Sequence, residues 1–260
     1  MTTTVNTPAA FGDYQVIKLL GAGMQGVTYL ATDPSGRLVA VKTIPAGTLP
    51  SRKARSVLDA EVVALKATHP AYAPAFIAYE PHPDQPYYVM EHIEGPTVDE
   101  VLAKAGWFSE ARTDRLAVRL TQILVMLHSE GIAHGDFRGQ NLIVAADGGI
   151  YLIDYGRAVL RQNSRKLFRQ RRSADLRQLA ELIARAQTGR APFGEDSSLA
   201  IERFIEGLAD LGTLSGRTRT VVLALLRNRP CWRGGMSARR AHRILVRGRR
   251  ARWRFWSGLV

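Results

Sequence analysis

The residues best suited to chemistry lie near the middle of the chain. His134, Gly135 and Asp136 are followed by Asn141, five residues past the aspartate, and by Asp154, eighteen past it, in the run Asp154, Tyr155, Gly156. Two carboxylates and an amide bracketing a small hairpin suit metal-assisted phosphoryl transfer. One carboxylate accepts a hydroxyl proton, while the amide and the other carboxylate offer hard oxygen ligands to Mg2+.

Upstream, Gly21, Gly23, Gly26 and Val27 form a Gly-x-Gly-x-x-Gly-x-Val pattern. The same glycine spacing occurs in dinucleotide-binding folds, where it follows a strand and opens a helix. Here strand-type residues follow it, so it is expected to join two strands and lay backbone N–H groups over a phosphate chain; a plain glycine turn is the alternative. Lys42 closes the run Val39, Ala40, Val41. A lysine ending a buried strand needs an anionic partner, because an unpaired buried ammonium is costly. Glu61 falls on the inward face of the next predicted helix and is the candidate; two surface side chains are the alternative.

These groups need elements to hold them. Alternation predicts strands at Tyr14–Leu20, Val27–Ala31, Leu38–Lys42 and Tyr87–Met90, with a turn at Asp33, Pro34, Ser35 and Gly36. Helical spacing of Val57, Leu58, Val62 and Leu65 predicts a helix over Ser51–Ala67. From about Thr97 the pattern turns helical, with helices expected over Ala111–Ser129 and Ser173–Gln187. Two short strands, Asn141–Val144 and Ile150–Ile153, flank a hairpin signal at Asp147, Gly148 and Gly149. Strands first and helices after them predict an α+β fold in two lobes.

Composition bounds the answer further. With 260 residues, 46% hydrophobic and 23% charged, the chain can bury a sizeable core and is not a disordered protein. One cysteine, Cys231, excludes an internal disulfide and a cysteine-based zinc site. The remaining histidines, His69, His82, His128 and His242 among them, have no ligand spacing and read as structural or surface residues. No signal-peptide pattern opens the chain, and no apolar run approaches the roughly 18 residues that cross a membrane, so a soluble cytoplasmic protein is expected.

The charge is uneven. Lys and Arg number 36 against 23 Asp and Glu. Residues 1–130 carry 11 basic and 13 acidic side chains, whereas residues 131–260 carry 25 and 10. From Arg227 onward there are eleven arginines and no acid, with Trp253, Phe255 and Trp256 interleaved. Such a tail suits an anionic partner, either RNA or an anionic membrane surface; the alternative is aromatics docked on the fold beneath solvated arginines.

From Tyr14 to Gly189 the chain resembles the eukaryotic-type (Hanks-type) protein kinases, with every element of that signature in order. The resemblance implies a bilobal protein-kinase-like fold: a strand-rich N-lobe over residues 1–93, a mainly helical C-lobe over 94–230, and a basic tail over 231–260. It implies ATP and Mg2+ as cofactors, with Lys42 and Glu61 as the ion pair, Asp136 as the catalytic aspartate, and Asn141 and Asp154 as metal ligands. Gly21, Gly23 and Gly26 match the nucleotide-covering loop. Val27 and Ala40 match the roof of the adenine pocket and Ile143 its floor; Met90 matches the gatekeeper, and Glu91 to Ile93 the hinge. Asp175 matches the aspartate that braces the catalytic loop.

The departures from the family pattern carry their own expectations. Gly135 stands where most protein kinases have the arginine that receives a phosphorylated activation loop, so loop phosphorylation should not be needed. Arg138 replaces the lysine typical of Ser/Thr kinases and keeps a positive charge for the transferred phosphoryl group. Only 18 residues separate Gly156 from Asp175, and no Ala-Pro-Glu occurs there, so the activation segment is truncated. The His-Gly-Asp form and short segment are similar to the RIO kinases, the KEOPS-complex kinase subunit and bacterial lipopolysaccharide-core sugar kinases. The expected activity is transfer of the ATP γ-phosphoryl group to a protein Ser or Thr hydroxyl. A small-molecule or glycan kinase is one alternative, and a nucleotide-binding subunit whose tail recruits RNA or membrane is another.

Overall fold

The computed structural model describes residues 8–23, 26–45, 50–82, 85–193, 211, 214, 216–226 and 236–247. The chain divides into two compact units, one comprising residues up to Ile93 together with Asp154–Gly156, the other Glu94–Ile153 and everything from Arg157 onward.

The first unit is a six-stranded antiparallel sheet with one helix. Its strands are β1 (Ala10–Phe11), β2 (Tyr14–Gly23), β3 (Gly26–Thr32), β4 (Leu38–Thr43), β5 (Phe76–Glu80) and β6 (Tyr87–Glu91), in the order β1-β2-β3-β4-β6-β5. Period-two alternation turns Val27, Tyr29 and Ala31 of β3 inward, where they meet Val39 and Val41 of β4, Val89 of β6 and Phe11. Helix α1 (Ser51–Lys66) buries Ala54, Leu58, Glu61, Val62 and Leu65 on one face. The register Lys42↔Tyr88 sets Lys42 across from a fully buried tyrosine.

The second unit is mainly helical. Its helices are α2 (Val98–Ala105), α3 (Glu110–Ser129), α4 (Arg165–Thr188), α5 (Gly216–Leu226) and α6 (Ala238–Val246). A capping box between Thr97 and Glu100 starts α2, and the Ser109 hydroxyl caps α3. Leu116, Leu120, Ile123, Leu124 and Leu127 of α3 are fully buried and form the centre of this unit's core. Strands β8 (Leu142–Val144) and β9 (Ile150–Leu152) form the hairpin, while β7 (Ile132–Ala133) pairs with β10 (Val159–Leu160).

Two sequence expectations shift. Asn141 belongs to a short 3-10 turn (Gly139–Asn141) and the strand begins one residue later. The helix expected from Ser173 begins eight residues earlier, at Arg165, because the Ser164 hydroxyl caps it by accepting from the Leu167 N–H. Its first two turns are dominated by Arg and Lys, with Leu167 and Phe168 their only apolar residues, so apolar periodicity does not reveal them; Phe168 alone is buried there, with the Arg161 and Arg172 guanidinium groups 5.8 and 6.0 Å from its ring centre. Residues 24 and 25 of the glycine loop, Cys231, the 230/231 boundary and the tail aromatics Trp253, Phe255 and Trp256 lie outside the described residues.

Helix α6 comes from the basic region and packs against α3. Ala238, Ala241 and Leu245 are buried, and Thr121 Oγ1 lies 3.0 Å from His242 Nδ1. Burial holds His242 below the ordinary imidazole value of 6.5, partly offset by a hydrogen bond with the Val118 backbone. The unfolded chain therefore binds more protons near and just below that value, and stability must fall as pH falls through the window. Thermal melts from neutral pH to about 5 should show a smaller acid loss for His242→Gln than for the parent chain. Parallel curves would remove His242 as the cause.

Candidate active site

In the first unit the buried ammonium of Lys42 is gripped by two carboxylates. Nζ lies 2.5 Å from Glu61 Oε1 and 2.8 Å from Asp154 Oδ1. Lys42 and Glu61 are 4% and 0% exposed, so each charge relies on the other; removing one partner of such a pair costs about 3–5 kcal/mol. Burial works against the ammonium, but the two carboxylates outweigh it and hold its pKa above the ordinary lysine value. Burial lifts Glu61 above the ordinary carboxyl range even as Lys42 pulls it down. Tyr88, which donates from its hydroxyl to Glu61 Oε1 at 3.0 Å, is raised well above the usual phenol value by burial and by that carboxylate. Sequence reading missed Tyr88; it sits in plain strand alternation and becomes visible only through its register with Lys42.

Asp154 adopts a left-handed backbone, φ 63°, which aspartate tolerates better than most residues. The three loop glycines differ in kind. A Cβ on Gly26, whose φ is +126°, would run into the Thr43 carbonyl, so that position is set by the fold. At Gly21 and Gly23 a Cβ would meet nothing within 4 Å. Val27 and Ala40 are buried in the sheet, while Glu91 ends β6 with its backbone N–H donating to the Ala75 carbonyl at 2.8 Å. Ile93 ends this part of the chain and is 9% exposed.

In the second unit Asp136 is clamped by its neighbours. Arg138 donates to its carboxylate from Nη2 at 2.9 Å, and Arg138 Nε lies 2.7 Å from Oδ1. Asn141 Nδ2 donates to the Asp136 carbonyl at 2.9 Å and to Oδ2 at 3.1 Å. That use of the amide nitrogen leaves the Asn141 oxygen as its remaining donor atom, a hard oxygen of the kind Mg2+ prefers; in the first unit Asp154 presents a partly exposed carboxylate of the same class. Among the described residues no group of three or more His, Cys, Asp or Glu side chains could hold a metal. Ile143 lies in β8, bridged to Thr97.

The loop carrying Asp136 is held from below by α4. Asp175 is fully buried; its Oδ2 accepts from the His134 N–H at 3.0 Å and lies 2.9 Å from His128 Nε2, while Oδ1 accepts from the Gly135 N–H at 2.6 Å. His134 is also fully buried. Its Nδ1 accepts from the Asp136 N–H at 3.3 Å, which leaves Nε2–H to donate to the Ile153 carbonyl at 3.1 Å. The sequence reading placed His128 among structural or surface residues, and its contact with Asp175 is structural.

The structure thus gathers Lys42, Glu61 and Asp154 in one unit and Asp136, Arg138 and Asn141 in the other. Comparison with known proteins agrees with the signature. Residues 14–190 match the protein kinase domain. The chain is 29% identical over 210 residues to the serine/threonine-protein kinase AfsK of Streptomyces griseus, covering 73% of this chain and 26% of that protein. It is 29% identical over 245 residues to the probable serine/threonine-protein kinase PkwA of Thermomonospora curvata (86% and 32%), and 33% identical over 147 residues to the probable serine/threonine-protein kinase YbdM of Bacillus subtilis (56% and 57%). The AfsK and PkwA proteins are therefore much longer than the stretch they share with this chain. With the family match running through most of the chain and the signature residues held as described, this chain belongs to the protein kinase family.

Proposed function

We propose that the chain is an ATP-dependent protein serine/threonine kinase that moves the γ-phosphoryl group to a hydroxyl. The observation that carries the reading is Lys42 Nζ fixed by both Glu61 and Asp154, a charged, buried ammonium whose role in this family's chemistry is to hold nucleotide phosphates. Backbone N–H groups around Gly21 and Gly23 cover the phosphate chain, and Val27, Ala40, Glu91, Ile93 and Ile143 receive the adenine. Asp136 orients the acceptor hydroxyl and takes its proton. Arg138, already on that carboxylate, brings a positive charge for the transferred group. Asn141 and Asp154 would hold Mg2+, whose charge neutralises the phosphates. The names of the relatives favour a protein acceptor. The short run from Arg157 to the start of α4 at Arg165 offers little platform for peptide docking and keeps a small-molecule or glycan acceptor as the second reading.

The basic face belongs to the same proposal. Arg239, Arg240 and Arg243 of α6 are exposed, and no ion pair engages them among the described residues. The apolar side of this helix is already buried, so its arginines face an aqueous polyanion or headgroup layer rather than dipping into one. No helix among the described residues is long and apolar enough to cross a membrane.

Three measurements check these statements. Asp136→Asn and Asp154→Asn should each lower phosphoryl transfer by about 10²-fold or more, with ATP binding surviving the first change; wild-type rates in both would remove the assignment. Labelled ATP offered to protein, lipid and sugar fractions identifies the acceptor class, and label in sugar alone would replace the protein reading with the second one. Phosphatase treatment of the enzyme as synthesised should leave its rate nearly unchanged, since Gly135 offers no side chain to a phosphorylated loop; a large loss contradicts this.

Deleting residues 249–260 removes four arginines and three aromatics. Affinity for RNA or anionic vesicles should fall and its salt dependence should become shallower, because fewer counterions are released. Unchanged binding with a lowered melting temperature would assign the tail to packing instead.

A further inference from the structure

The Asp136 loop is gripped by more than the buried Asp175. Helix α4 presents Arg171, Asp175 and Gln178 at spacings of four and three residues, which places them along one face. Asp175 takes the Gly135 N–H at 2.6 Å, and Gln178 Oε1 accepts from the Phe137 N–H at 2.8 Å. The residues on both sides of Asp136 therefore have their backbone N–H groups pinned to the same helix. Arg171 completes the face in a different way. Gly135 has φ +79°, and a Cβ built there would lie 2.8 Å from Arg171 Cδ and 2.8 Å from the Arg157 carbonyl. The space a side chain would occupy is filled by the Arg171 stem. Arg171 Nε is buried without a hydrogen-bond partner among the described residues, so the contact at Gly135 is one of packing rather than of hydrogen bonding.

We infer that Arg171 and Gln178 are positioning residues for Asp136: Gln178 fixes the peptide after it, and the Arg171 stem, packed on Gly135, fixes the residue before it. The inference rests on the kinase reading only for what Asp136 does, not for how it is held. A shift of the carboxylate by a fraction of an ångström misaims it at the acceptor hydroxyl while leaving nucleotide binding by the Lys42 unit intact. The hydrogen bond from Phe137 needs an acceptor only, so a carboxylate can replace the amide of Gln178. The contact at Gly135 needs an unbranched stem, which methionine supplies.

The test uses the full chain with four substitutions, Gln178→Leu, Gln178→Glu, Arg171→Ala and Arg171→Met. Turnover is measured well below each melting temperature, together with KM for ATP and the hydrogen exchange of the Gly135 and Phe137 amides. Gln178→Leu and Arg171→Ala should lower kcat by about three- to tenfold, the worth of one buried hydrogen bond or its packing equivalent, with KM for ATP unchanged. Exchange at Phe137 should quicken in the first and at Gly135 in the second. Gln178→Glu and Arg171→Met should restore parental values. Unchanged exchange in both Gln178→Leu and Arg171→Ala, or quickened exchange with parental kcat, overturns the inference, as does failure of both restoring variants. If exchange responds as expected but the parent transfers no phosphate, the loop is held as described and the kinase reading is what fails.

Discussion

One buried carboxylate underlies the placement of the loop that carries Asp136. Asp175 has no access to water, and its two oxygens are occupied by the N–H groups of His134 and Gly135 and by the ring of His128. A charge in that position is tolerable only because three donors converge on it. The dependence runs both ways. The loop backbone, with a glycine at φ +79° and a buried histidine whose two ring nitrogens are both engaged, is tied to the helix beneath it through the His134, Gly135 and Phe137 N–H groups. Asp136, Arg138 and Asn141 then form a closed local network on top of that support.

The first unit solves a related problem with opposite signs. There the buried group needing support is a cation, and the Asp154 carboxylate and the Tyr88 hydroxyl flank the pair it forms with Glu61. The sheet alternation buries Val39 and Val41 on either side of Ala40, and the register with β6 brings Tyr88 into place. In both units an apolar core carries a polar cluster whose members answer one another's charges, which is the arrangement that makes a buried charge specify one structure.

Much of this was legible in the order of residues. The strands around Val27 and Val39 follow from alternation, α3 from its leucine spacing, and the pairing of Lys42 with Glu61 from the cost of an unpaired buried ammonium. Spacing also singled out Asp136, Asn141 and Asp154. What escaped was long-range and polar. Gln178 and Arg171 sit in a helix whose first turns are rich in basic residues, and nothing about an isolated glutamine or arginine marks it as facing a loop some forty residues away. The short strands β1, β7 and β10 were missed because two-residue strands have no periodicity; β7 and β10 are moreover paired with each other far apart in sequence, whereas β1 folds directly back on β2.

The docking of α6 has a practical consequence for where this domain ends. The family match stops at residue 190, yet α5 and α6 pack on α3 and α4 well beyond it. Val221, Val222 and Leu225 of α5, and Ala241 and Leu245 of α6, are all buried, and Thr218 hydrogen-bonds to Asp114 of α3. A fragment trimmed to the matched residues would strip this cover from α3 and α4 and leave an oily flank in water, a surface prone to self-association. The packed unit therefore extends at least to residue 247, and boundaries drawn from sequence similarity alone would cut through its core for reasons unrelated to the active site.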